Sequence, residues 1–238
     1  MTSLLRFNTV VAKKIIMAIT GLAMCAFLVG HLAGNLQLLW STNQFNGYSH
    51  FLTAQPVIIL IELGLLAILL IHVLDALILL KGNYEARPEG YYMKVGAKAK
   101  SENTHKTPSS TFMMWSGTAI LMFIVFHIWH FKYHHGLTAD GQAVGSVNPD
   151  GTGGYDLAKL VTSEFHNPLI AGIYDCAMVL LGLHLYHAVS SAFTTLGANV
   201  PRYTWGILWL GRIFTVVVCG GFAILPLVTY FGLFGLGK

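Results

Sequence analysis

Five runs of about 20 or more apolar residues, near 15–39, 56–80, 111–131, 168–193 and 205–235, restrict this chain more than any other feature of it. Each is long enough to cross a hydrocarbon core about 30 Å thick as a helix. Lipid offers no partner to a free N–H or C=O, so the spans are expected to be helices packed as a bundle. Composition points the same way: 55% of the 238 residues are hydrophobic and 10% charged, against about 25% charged in an ordinary soluble domain. In water so few polar side chains could not cover the apolar surface. The expected fold class is therefore an all-α membrane protein, a five-transmembrane-helix bundle forming one integral-membrane domain over 1–238. Lys13 and Lys14 ahead of the first run resemble the start of a signal peptide. The run reaches Trp40, too long for a leader, and Met24 stands where a lipoprotein cleavage motif before Cys25 needs a small residue, so the segment is expected to be a span. Cys25, Cys176 and Cys219 lie singly in apolar runs, which suggests neither a disulfide framework nor a thiolate metal site.

Charge sets the expected orientation. The segment STNQFNGYSHF between spans one and two has no Lys or Arg, whereas Lys81, Arg87, Lys94, Lys98, Lys100 and Lys106 follow span two. The positive-inside rule then places the N-terminus with Arg6, Lys13 and Lys14, the 81–108 loop, and the turn holding Arg202 in the cytoplasm. The loop after span three, with Asp140, Asp150, Asp156 and Glu164 against Lys132 and Lys159, is net acidic and expected outside as surface chain. Its Gly-rich stretch GQAVGSVNPDGTGG reads as flexible. Pro56, Pro108 and Pro168 fall at or just ahead of helix starts, where a missing N–H costs little. Pro226 lies inside span five and should kink it.

Histidines are costly inside a span, and four spans contain them. They are His31 in VGHLAGN, His72 in LIHVLDAL, His127 in VFHIWHF and His184 in GLHLYHAV. Each lies about 15 or 16 residues into its span, roughly 24 Å along it. Helix direction alternates, so His31 and His127 should meet near the outer face, and His72 and His184 near the inner face. Paired neutral imidazoles on opposing helices are the ligand set of six-coordinate haem iron, and two pairs imply two haems differing in depth by roughly 18 Å. Competing readings are an interhelical hydrogen bond at each histidine, a proton relay, or zinc, which would need further ligands close by. Beyond this histidine pattern the sequence shows no internal repeat. His130 and His187 sit one turn nearer the membrane surfaces, where either contacts to haem propionates or interfacial hydration would suit them. His50, His105, His134, His135 and His166 fall in loops and are expected to be solvated.

The runs KKIIMAITGLAMCAFLVGHLAGNL, LIHVLDALILL, FIVFHIWHF and GLHLYHAVSSAF, in that order, resemble the cytochrome b558 family of succinate dehydrogenase and fumarate reductase anchors. The resemblance covers all five spans. It implies two haems b held by His31 with His127 and by His72 with His184. It also implies a flavoprotein subunit carrying FAD and an iron–sulfur subunit, docked on the cytoplasmic face of a bacterial inner membrane, with room for a higher oligomer of the complex. Membrane lipid and a quinone, menaquinone by family habit, complete the expected partners; no nucleic acid is expected. The basic 81–106 segment suits docking, though positive-inside charge accounts for most of it.

A quinone needs a proton donor, which directs attention to Glu62 and Asp175 in the outer halves of spans two and four, as an outer quinone or proton path. Helix pairing and solvation are the alternatives. Some relatives carry a glutamate two residues before the fourth ligand; here that position is Gly182. Asp75 is expected to pair with Lys81 or Arg87. No residue is expected to be catalytic in the chain alone, which should not oxidise succinate: it has no Rossmann fingerprint, CxxC ladder or soluble domain. Other readings are the anchor of another respiratory dehydrogenase and a proton-coupled transporter with a histidine relay.

Overall fold

Apolar runs bounded by hydroxyl, amide and proline caps become helices within a few residues of the places expected. The computed structural model describes residues 9–85, 112–133, 156–198 and 200–233, and among these no strand occurs. In α1 (Val10–Leu36) the Thr9 hydroxyl accepts the Ala12 amide, closing the first turn. Then come α2 (Thr42–Ala54), capped by Ser41, and α3 (Val57–Glu85), which follows Pro56. After them stand α4 (Met113–Ile128), extended by a wide π turn at Trp129–Tyr133, and α5 (Leu157–Phe165), capped by Asp156. The last two are α6 (Pro168–Thr195), capped by Asn167, and α7 (Pro201–Tyr230). Five of these, α1, α3, α4, α6 and α7, are long and apolar enough to cross a membrane.

The fifth span runs earlier than the expected 205–235. Pro201 can open α7 because its fixed φ suits a first turn and its missing N–H is not needed there. At the other end Gly232 takes φ +63°, and its amide closes on the Thr229 carbonyl at 3.1 Å. The helix continues through Pro226.

Two elements depart from the sequence reading. The STNQFNGYSHF segment is the helix α2, and part of the acidic segment expected as surface chain is the helix α5. They clasp each other: the Asn46 amide donates to Asp156 Oδ1 at 2.8 Å, and the Ala158 N–H donates to Asn46 Oδ1 at 2.9 Å. Phe45, Val161 and Phe165 pack with Leu38, Tyr174 and Leu225 into one core cluster. This cap closes the end of the bundle where α1 finishes, the outer end in the expected topology.

Within the bundle α1 packs along α3, α6 and α7, and α4 packs along α6. Hence α1 and α4 face one another diagonally, as do α3 and α6. Apolar side chains cover the outside; on α3 only Asp75 is buried. In hydrocarbon such a surface needs no protein cover, because lipid is as apolar as leucine. The segments holding Arg6, Arg87–Lys106 and GQAVGSVNPDGTGG, with Pro108, His105, His134 and His135, lie outside the described residues.

Candidate functional site

The diagonal arrangement brings the four histidines together as two pairs. Rings of His31 on α1 and His127 on α4 have centroids 5.9 Å apart with planes at 83°. A metal–nitrogen bond is roughly 2 Å long, so two imidazoles on opposite sides of one metal place their ring centres about 6 Å apart. The two imidazoles would share a metal with their free nitrogens facing each other, and crossed ring planes would not prevent that. Aromatic side chains line the pair: Phe27 stacks on His31 at 5.3 Å, Phe222 lies 5.6 Å from it, and Phe123 stacks on His127 at 5.8 Å. The Asn35 amide donates to the His31 carbonyl at 2.8 Å.

His72 on α3 and His184 on α6 lie within electrostatic reach of each other. Their surroundings repeat one pattern. The Thr20 hydroxyl donates to the Ile16 carbonyl at 2.8 Å, so its oxygen meets His72 Nδ1 at 3.1 Å as an acceptor. Ser116 donates to the Phe112 carbonyl at 3.0 Å and meets His184 Nδ1 at 3.3 Å in the same role. With each hydroxyl proton on its backbone carbonyl, Nδ1 is the donor in both histidines, the tautomer that leaves both Nε2 lone pairs for a metal. The next residue is glycine in each case: a Cβ on Gly21 would stand 3.4 Å from His72 Cε1, and one on Gly117 would stand 3.4 Å from His184 Cε1.

These contacts also measure depth. Thr20 precedes His31 by eleven residues on α1, and Ser116 precedes His127 by eleven on α4. Eleven residues of α-helix rise about 16 Å, so the pairs form two layers separated by roughly that distance. The sequence reading saw no repeat beyond the histidines. In the structure a hydroxyl–glycine step eleven residues ahead of the histidine recurs on the two diagonal helices.

Among the described residues no three His, Cys, Asp or Glu side chains converge on one cation position. Two nitrogen donors per layer, on helices kept apart, suit an ion whose other positions are filled by a flat macrocycle. The residues present thus fit a haem in each layer.

His130 is enclosed by protein rather than hydrated at an interface. It is buried, 4% exposed, with Nδ1 3.0 Å from the Tyr174 hydroxyl and Nε2 3.1 Å from Glu164 Oε2. Tyr174 in turn lies 3.3 Å from His127 Nδ1. Glu164, expected in an outward-facing acidic loop, is buried because α5 turns it under the cap toward this imidazole. His187 is half-buried, and its carbonyl accepts the Ser190 hydroxyl at 3.2 Å. Glu62 is engaged by Lys132 in a half-exposed ion pair joining α3 to the end of α4. Asp175 keeps one buried carboxylate oxygen without a partner. Asp75 does not pair with Lys81, which bonds Glu85 at 3.7 Å; Asp75 Oδ2 is buried without a partner, and Arg87 lies outside the described residues.

Thr20, Ser116 and Tyr174 were absent from the sequence reading, which took Glu164 only as surface charge; also absent was Arg212, whose guanidinium lies 5.1 Å from the Trp209 ring and 5.7 Å from that of Tyr186. An arginine ten residues into a span was a visible signal for the last. No protein-family profile, curated protein or solved structure matches the chain.

Proposed function

We propose that this chain is the dihaem cytochrome b anchor of a succinate:quinone oxidoreductase, with one haem b held by His31 and His127 and the other by His72 and His184. The observation that carries the reading is the two-layer pairing of imidazoles on diagonal helices, with Nδ1 committed to a hydroxyl in both inner histidines. When bound, haem iron takes up and releases single electrons. The chain orients the four imidazoles, keeps water from His31 and His127 with Phe27, Phe123 and Phe222, and stacks the layers across the bilayer.

The rest of the assembly follows from the family resemblance: a flavoprotein and an iron–sulfur subunit on the cytoplasmic face deliver electrons to the inner layer, and menaquinone accepts them. Asp175, with its unpartnered oxygen in the outer half, is the better candidate of the two acids for a quinone or proton path, because Glu62 is committed to Lys132. A bacterial inner membrane with the N-terminus in the cytoplasm is the setting this reading requires.

The test is a dithionite-reduced minus oxidised spectrum with pyridine-haemochrome quantitation on wild type, His72→Ala and His127→Ala. Two haems b per chain, with about one lost in each variant, and copurifying flavin and iron–sulfur subunits are expected. One specific observation favours a second reading: the chain His127, Tyr174, His130, Glu164 would also serve the histidine relay of a proton-coupled transporter. A colourless, folded, fully assembled preparation would select it over the cytochrome.

A further inference from the structure

The two layers lean on different groups. His72 and His184 rest against neutral hydroxyls whose own protons go to backbone carbonyls. His127 rests against the Tyr174 hydroxyl, and from there the bonding runs on to His130 and ends on the Glu164 carboxylate, through contacts of 3.3, 3.0 and 3.1 Å. The side chains of His130 and Glu164 are 5% and 7% exposed, and Tyr174 is 6% exposed. Water therefore competes little for these bonds, and each is stronger for lying in a low dielectric.

Each contact holds one proton, so the chain has two self-consistent polarities. In one, every donor points toward the carboxylate: His130 Nε2–H to Glu164, Tyr174 O–H to His130 Nδ1, and His127 Nδ1–H to the Tyr174 oxygen. In the other, the Tyr174 proton points at His127 Nδ1, and the neutral His127 carries its proton on Nε2 instead. Only the first leaves His127 Nε2 free to bind a metal. It also ends on an ionised acceptor, the arrangement that raises the basicity of a ligand imidazole.

We propose that Tyr174, His130 and Glu164 are positioning residues that hold His127 in its Nδ1–H form and lend it anionic character, making the outer ligand pair more electron-rich than the inner one. The tautomer follows from a hydrogen-bond chain anchored on a Glu164 carboxylate; the electronic consequence rests on the haem reading above. A more basic axial imidazole favours ferric over ferrous iron, so the relay lowers the reduction potential of the haem it serves.

Two measurements test this. In the first, nitrogen-15 solid-state NMR on the histidine-labelled chain in bilayers, with assignment by His127→Ala, should show His127 protonated at Nδ1 in wild type. Tyr174→Phe should lose that signature. A proton on Nε2 in wild type, or no change in Tyr174→Phe, would overturn the relay whatever the cofactor content. In the second, a redox titration of the haem-loaded complex is followed by absorbance. Glu164→Gln keeps an acceptor for His130 Nε2–H and removes the charge, so the haem component that His127→Ala abolishes should shift to higher potential while the other stays fixed. Glu164→Asp should restore it, and Ser116→Ala should leave it unmoved. Equal shifts in both components, or none with two haems present, would overturn the electronic part. A preparation without haem would count against the cytochrome reading only and leave the NMR result to judge the relay.

Discussion

A hydroxyl in a hydrophobic helix usually satisfies itself on the carbonyl four residues back, and Thr20 and Ser116 do so through Ile16 and Phe112. A hydroxyl satisfied in this way presents its oxygen as an acceptor, which favours the Nδ1–H tautomer of His72 and His184. Replacing Thr20 by Val keeps the shape and removes the acceptor. Loss of such a supporting bond typically costs 10–100-fold in metal affinity. On the proposed dihaem reading, Thr20→Val should weaken retention of the haem held by His72 and His184 by about 10–100-fold, measured by transfer to apomyoglobin, with the other haem unaffected; equal release of both would contradict the assignment of Thr20 to the His72–His184 layer. The four histidines were legible because an ionisable group in lipid is costly and therefore conspicuous. Thr20 and Ser116 were not, because a self-bonded hydroxyl leaves almost no mark on hydropathy.

At the scale of elements, the spans announce themselves by length and apolarity, while the short cap helices depend on each other. α2 and α5 each offer a polar side that Asn46 and Asp156 tie together, so neither reads as a helix on its own. Asn46→Ala leaves the Ala158 N–H buried and unbonded, at a cost of about 1–3 kcal/mol. It should lower the unfolding midpoint accordingly; an unchanged midpoint would mean that the clasp adds nothing to packing. Close helix approach gives a second case. A Cβ on Gly221 of α7 would lie 2.9 Å from Leu32 Cδ2 on α1, and Leu32 is itself buried. Gly221→Ala should destabilise by about 1–3 kcal/mol through overpacking, with Leu32→Ala in the same chain recovering part of it. Failure of the double variant to recover would place the strain elsewhere.

For the whole molecule, the five helices among the described residues that are long and apolar enough to cross a membrane would put the two termini on opposite sides, and the positive-inside rule predicts which side each occupies. With a membrane-impermeant maleimide, Ala143→Cys should label in intact cells and Lys98→Cys only after the membrane is opened. The reverse pattern would invert the topology, and with it the face on which soluble partners could dock. The native cysteines, all within spans, are a low background for this experiment.

The sequence by itself determined the solvent, the number of spans and the matched depths of four histidines, because these depend on quantities that add along one chain: apolar length, charge count and a rise of about 1.5 Å per residue. Only the tertiary structure decided which hydroxyl meets Nδ1 of each of three imidazoles, that Glu164 is buried rather than solvated, and that two segments close one end of the bundle as helices. Those outcomes depend on groups far apart in sequence, such as Glu164 with His130 or Asn46 with Asp156, meeting at hydrogen-bond distance. No local pattern encodes such a meeting. It follows from how α1, α3, α4 and α6 pack around their diagonals, and from the cap that α2 and α5 build over them.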